Sequence, residues 1–323
     1  MHKNKKYMHK NTKNTLQMNK YTLLCKAYKR YTLYIKGEEI MKKNLCMLLI
    51  AMLIAVSIIG CGGKKDDSGA EAKINKLESI KQSGKLIIGT SPDFAPSEFI
   101  DNSSGKTEYV GCDIEFAKYI AESLGVELEI KAMEFSAIQQ AVQSGTVDLG
   151  IAGFAYTEKR AEAMELTDKF NIKLNDGYQG VLVLKDKVHD FTKKEDFEGK
   201  KLAGQNASLQ QNLIQTQLEN VEFQPVTSIA DGVMMVITGK VDGLAVDSNN
   251  GDSLMHNYSE IGIADFKFDY AEEGNVIGIK KGEKELLEAV NNIIAEVNEK
   301  GFYEQWKDEA VELANSLGIQ MEE

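Results

Sequence analysis

Downstream of residue 84 the apolar positions fall into two alternating patterns: short continuous runs, and stripes with a 3.6-residue period. The first reads as buried strand and the second as amphipathic helix. Residues 85–89 (Lys-Leu-Ile-Ile-Gly) predict a strand. Residues 113–124 predict a helix, with Ile114, Ala117, Ile120, Ala121 and Leu124 on one face and Gly125 as its stop. Residues 126–130 predict the next strand. Ser136 is placed to N-cap a short helix carrying Ile138, Ala141 and Val142, which Gly145 ends. Residues 148–152 return to strand. This β-α-β-α-β order implies a parallel sheet covered by helices.

A second set follows. Strands are expected at 181–184, 201–204, 221–223, 243–246 and 276–279, and helices at 209–218 and 229–238. Two helices come last. The first has Leu286, Val290, Ile293, Ile294 and Val297 on one face and stops at Gly301; the second starts near Phe302 and carries the only tryptophan, Trp306.

The other end of the chain has a different pattern. Residues 45–60 form an apolar run of sixteen residues behind Met41-Lys42-Lys43. A spanning helix needs about 20, and a basic start before a shorter apolar run is the layout of a secretory signal. The run ends in Ile58-Ile59-Gly60-Cys61, which resembles a bacterial lipobox. In lipoproteins of that type the peptidase cuts before the cysteine, and its sulfur carries a diacylglycerol. The expectation is a signal peptide at 41–60, lipidation of Cys61, and a polar, flexible tether at 61–73. A signal belongs at a terminus, so residues 1–40 are expected to be a mis-assigned or disordered extension ahead of a start at Met41. Lys36-Gly37-Glu38-Glu39-Ile40 can be encoded by a purine-rich ribosome-binding sequence at a suitable distance; the alternative is a genuine basic extension.

Charge divides at the same point. The chain holds 38 basic and 49 acidic residues, of which 12 and 2 lie in residues 1–60, so the part from Cys61 onward carries a net charge of −21. Nucleic-acid binding needs a basic footprint, which this surface lacks. Cys112 is the one cysteine beyond Cys61, so no intrachain disulfide forms in the globular part without it, and a lone cysteine reads as a small hydrophobe. His189 and His256, the two histidines there, are too isolated for a metal centre.

Thr-Glu-Lys-Arg (157–160) comes directly after the strand near Gly153. Ligands bind beyond the carboxyl ends of strands in α/β sheets, and an arginine there can hold a carboxylate through two parallel N–H bonds. Taken alone, Arg160 is a weak signal, but it has company. The segments GTSPDFAPSEF (89–99), VGCDIEFAKYIAESLG (110–125), MEFSAIQQAVQSGTVDLGIAGFAYTEKR (133–160), LTDKF (166–170), GKKLAGQNASLQQ (199–211), VDGLAVD (241–247) and EKGFYEQW (299–306) follow in order. Together they resemble the extracellular solute-binding proteins of polar amino acid ABC transporters, across residues 85–317.

The resemblance implies an α/β fold of the type II periplasmic-binding-protein kind. Two lobes, each a mixed or mostly parallel sheet flanked by helices, would be joined by two hinge strands, with lobe 1 at 74–180 plus 274–323 and lobe 2 at 181–273. It implies a cofactor-free, monomeric receptor that takes a free amino acid between the lobes and delivers it to permease subunits. Arg160 would meet the ligand carboxylate. Ala155, which stands where Ser or Thr is usual, would offer only its backbone N–H. The Gly153 carbonyl and the Asp247 carboxylate would meet the ammonium. Ser208, Leu209 and Gln210 match a loop at a helix start whose N–H groups suit an anion. Phe94 and Phe135 match aromatic walls. Ser91 stands where family members that select cationic side chains often have Asp, and Gln205 would face the side chain. Both favour a neutral polar or modestly apolar ligand, while the nearby Asp93 leaves a cationic one open. Both charged partners are expected at a wet cleft. Two other readings are an enzyme of the dehydratase type on this scaffold, which needs an acid or base in the cleft, and a ligand-binding sensory ectodomain. No histidine or paired carboxylate stands among the matched ligand positions.

Overall fold

The computed structural model describes residues 74–172, 177–271 and 273–321. The expectations for residues 1–40, for the signal at 41–60, and for Cys61 and the tether lie outside the described residues. Among those described, no helix is long and apolar enough to cross a membrane.

The first described element is α1 (Lys76–Ser83). Its N-cap Asn75 accepts the Glu78 N–H at 2.9 Å, and Gly84 ends it in the left-handed conformation. Among the described residues the strands sort into two five-stranded sheets and a hairpin. In the first sheet β1 (Lys85–Thr90) lies between β4 (Glu127–Ala132) and β5 (Leu149–Gly150), parallel to both. β12 (Gly278–Ile279) then adds antiparallel between β5 and β6 (Glu165–Leu166). The second sheet has the order β11-β7-β10-β8-β9: Ile261–Lys267, Gln179–Leu184, Gly243–Asp247, Lys201–Gln205 and Glu222–Val226. Its β10, β8 and β9 are parallel, whereas β7 and β11 run antiparallel to their neighbours. The short hairpin pairs β2 (Phe99–Asp101) with β3 (Glu108–Val110).

Each sheet is covered on both faces, and the period of two in its strands shows why. In the second sheet Val181 and Val183 enter one apolar cluster with Phe191, Phe197 and Phe266. Their neighbours Leu182 and Leu184 join the opposite cluster with Val233, Leu244 and Val246. In the first sheet Leu86 and Ile88 pack into the larger cluster, under α2 (Cys112–Leu124), α8 (Lys284–Lys300) and α9 (Phe302–Ser316). The other face is sealed by Ile138 and Val142 of α3 (Phe135–Ser144). Gly125, Gly145 and Gly301 end their helices in the left-handed conformation, as their positions in the sequence predict.

The start of α3 differs from the sequence expectation. Ser136 lies inside the helix, and the N-cap position belongs to Glu134. Drawing Phe135 into the first turn lets its ring pack edge-to-face on Phe154, with centroids 5.2 Å apart. Several elements were not anticipated, α1, β2, β3 and β6 among them, and two more lie at the second sheet. One is α7 (Ser248–Asn257), whose sequence SNNGDSLMHN is poor in helix formers. The other is β11, which adds the outer antiparallel strand of the second sheet. That sheet already begins at Gln179, within the 171–180 segment that runs on from the first lobe.

Candidate ligand-binding site

The carboxyl ends of β1, β5, β8 and β10 open onto one cleft, and all eleven positions singled out from the sequence line it. The first lobe supplies Ser91 and Phe94 from the loop after β1, Phe135 from α3, and Gly153, Ala155 and Arg160 from the segment after β5. The second supplies Gln205 at the end of β8 and Ser208, Leu209 and Gln210 at the start of α5 (Leu209–Gln217), together with Asp247 at the end of β10.

Arg160 sits in the short helix α4 (Glu158–Ala163), which Thr157 caps by accepting the Arg160 N–H. Its side chain is buried, only 4% exposed. The guanidinium carbon lies 4.9 Å from the Phe154 ring centroid and 5.4 Å from that of Phe135, within cation–π range. Nη1 donates to the Ala155 carbonyl at 2.6 Å and Nη2 to the Ala207 carbonyl, across the cleft, at 3.0 Å. Burial pulls the Arg160 pKa down to about 10, so the group stays cationic at neutral pH. Among the described residues it makes no ion pair. Two of its five N–H donors face backbone carbonyls, which leaves three for an anion.

Asp247 is 7% exposed. It caps α7, accepting the Asn250 N–H at 3.2 Å and the Asn250 side-chain amide at 3.0 Å. The expectation of a wet cleft for this pair is therefore corrected: both charges are buried, because the lobes touch. Ala207 has φ +60°, a conformation unfavourable for a residue with a Cβ. That twist turns its carbonyl toward the first lobe, where it also accepts from the Gln139 side chain at 3.1 Å.

At the start of α5 the Ser208 hydroxyl accepts the Gln211 N–H at 3.1 Å and so acts as the N-cap. The first-turn N–H groups of Leu209 and Gln210 have no intrahelical acceptor by helix geometry. The Gln210 side chain donates to Gln179, a buried cleft residue that the sequence reading missed. Tyr270 and Asn250 were missed as well. Only their place beside the second crossing between lobes and beside Asp247, respectively, could have flagged them.

Gly153 has φ +54°, and a Cβ there would stand 3.1 Å from the Phe94 ring. Only glycine lets the backbone and that aromatic wall meet. Its N–H donates to Asp113 at 3.0 Å, and Tyr303 donates to the other carboxylate oxygen at 2.6 Å. Asp113 and Glu98 are fully buried and share a hydrogen bond. Burial, with Asp113 and Asp93 nearby, pushes the Glu98 carboxyl well above the usual carboxylate range. The Glu98 Oε2 atom has no hydrogen-bond partner. A paired carboxyl thus does border the cleft, although neither member was among the matched ligand positions. Cys112 lies beneath, and burial pushes its thiol up to about 12, the behaviour of an inert core residue. No group of His, Cys, Asp and Glu that could hold a metal occurs among the described residues.

A model of bacterial extracellular solute-binding proteins, family 3, matches residues 86–311. The chain belongs to this family. Among curated relatives, the "Probable histidine-binding protein" of Campylobacter jejuni is 24% identical over 82% of this chain and 96% of its own length. The "Arginine-binding extracellular protein ArtP" of Bacillus subtilis is 26% identical over 83% and 97%. Among solved structures, the amino acid ABC transporter substrate-binding protein AbpA of Streptococcus pneumoniae, bound to L-arginine, superposes with a TM-score of 0.67. It is 30% identical and covers 72% of this chain and 97% of its own. The two sheets described above are the two lobes of the family's type II fold, and these relatives are binding proteins.

Proposed function

We propose that the protein is an extracytoplasmic receptor that takes a free α-amino acid between its lobes and hands it to an ABC transporter permease, without turnover. One observation supports this most: a buried arginine from the first lobe and a buried aspartate from the second line the same cleft. A zwitterion needs opposite charges at opposed points, and this pair supplies them. Arg160 and the first-turn N–H groups of Leu209 and Gln210 receive the carboxylate; Asp247 and the Gly153 carbonyl receive the ammonium. Each charge-assisted bond contributes about 1.5–3 kcal/mol, and a micromolar site needs about −8 kcal/mol in all. The chain passes between the two sheets twice, after Leu166 and before Gln179, and after Lys267 and before Gly278, and these passages are the proposed hinges.

The test is thermal denaturation against the twenty amino acids. A bound one should stabilise the fold by about 2.7 kcal/mol at a hundredfold excess over its Kd. No shift with any of them would overturn the reading, and dehydration of prephenate without such a shift would favour an enzyme.

Asp247 separates two roles. Asp247→Asn keeps an oxygen to cap α7 and removes the charge, so it should weaken ligand binding by about 1.5–3 kcal/mol with little loss of stability. Asp247→Ala should also lose the cap, at about 1 kcal/mol of stability. Equal melting temperatures for the two variants would show that the cap contributes nothing.

We also propose that the receptor is held at the membrane through a lipid on Cys61, after removal of residues 1–60, and works as a monomer. Mass spectrometry of the native protein should give a lipidated N-terminal cysteine. Peptides from residues 1–40 in the mature protein would refute both the cleavage and the later start.

A further inference from the structure

We propose that the ligand's side chain is positively charged and that Asp93 is the residue that selects it; this rests on the amino-acid reading above. The cleft is lined by four carboxyl side chains, Asp93, Glu98, Asp247 and Glu273. Three are accounted for. Asp247 is taken by the ligand ammonium in that reading. Glu273 forms an ion pair with Lys169. Glu98 is buried, 1% exposed, and burial beside Asp113 disfavours its charged form. Asp93 remains.

All the partners of Asp93 are neutral. The Ser91 hydroxyl donates to Oδ1 at 2.8 Å, and the Gln205 side-chain amide, from the other lobe, donates to Oδ2 at 3.2 Å. The Ile229 N–H, in the first turn of α6 (Ile229–Ile237), also faces it. These donors orient the carboxylate but cancel none of its charge, and among the described residues it makes no ion pair. Lys307, the other cation on the cleft wall besides Arg160, does not pair with it. Asp93 is exposed to solvent in area yet set within a concave wall, so that surrounding protein already disfavours its charge. A ligand that displaces the remaining water must answer that charge. A cationic side chain does so; a neutral one leaves it less well solvated than before; an anionic one is repelled.

The walls agree. Phe94 and Phe135 stand in the same cleft as Asp93, and aromatic faces attract a cation, a guanidinium above all. The residues that pointed to a neutral ligand then take a different part. Ser91 and Gln205 do not replace a missing carboxylate; they hold one that stands two residues further on.

Arginine and citrulline test this, because they share a shape and differ in charge. Calorimetry on the full mature chain should give tighter binding of arginine than of citrulline, and of lysine than of glutamine, by about ten- to a hundredfold. Asp93→Asn, which can keep a hydrogen bond to Gln205, should abolish that preference by weakening arginine and lysine while relieving citrulline and glutamine of the uncompensated charge. Citrulline bound as tightly as arginine by the wild type would overturn the proposal, as would a preference for arginine that survives in Asp93→Asn. Neither result would touch the receptor reading, which fails separately if no amino acid binds.

Discussion

Replacing Arg160 by alanine is expected to weaken amino-acid binding by about 2–5 kcal/mol, roughly thirty- to five-thousandfold. The size follows from burial. The guanidinium lies against Phe135 and Phe154 with almost no exposure, so a ligand carboxylate brought beside it is desolvated too. Without the arginine that anion is left unmatched. The substitution also removes a donor from the Ala155 carbonyl and one of the two donors, the other being Gln139, from the Ala207 carbonyl across the cleft. A lower melting temperature is therefore expected alongside the lost affinity, and circular dichroism must show the variant folded. Arg160→Lys is the informative partner. It keeps the charge but not the planar fork, so it cannot hold both carbonyls and a carboxylate together; it should bind better than alanine and well below wild type. A folded Arg160→Ala that binds within a few-fold of wild type would place the carboxylate elsewhere.

Phe116→Ala is expected to be the most damaging core change, at about 3–5 kcal/mol of stability. Phe116 has no exposed area, and its ring meets three others: Phe170 at 5.0 Å edge-on, Trp306 at 6.0 Å stacked, and Tyr303 at 6.1 Å edge-on. These rings come from α2, the segment after β6 and α9, so the cluster joins the end of the chain to the first lobe. A total stability of about 5–15 kcal/mol leaves little margin for such a cavity. Tyr303 also donates to Asp113, which in turn receives the Gly153 N–H, so the cluster is connected to the cleft. Urea denaturation followed by Trp306 fluorescence reads the change. Phe116→Leu should cost markedly less. A loss under 1 kcal/mol for the alanine variant would mean that the cluster is not the packed centre described here.

Much of the fold was legible because its signals are local. Leu86 and Ile88, or Val181 and Val183, announce a strand by period, and Gly125, Gly145 and Gly301 announce helix ends by their freedom at positive φ. The motif order through Arg160 and Asp247 placed all eleven candidate positions on one cleft wall or the other. What period and propensity could not convey was α7, whose Ser, Asn, Gly and Asp residues favour turns. It is helical because Asp247 caps it and because Ser248, Asn250, Gly251 and Ser253 are buried against the second sheet. Nor could they convey that Ser136 would yield its capping position so that Phe135 could reach Phe154.

The sequence by itself determined the alternation of strands and helices, the family, and the residue types at the cleft. The tertiary structure alone decided what those residues do to one another. Arg160 is buried rather than wet because Ala207, forty-seven residues away, turns its carbonyl across the gap. The Glu98 carboxyl is pushed up because folding buries it and sets it beside Asp113. Asp93 faces Gln205 because the two lobes meet there. Period and propensity act over a few residues, whereas the charge state and the partners of a buried group depend on which distant segments exclude water from it.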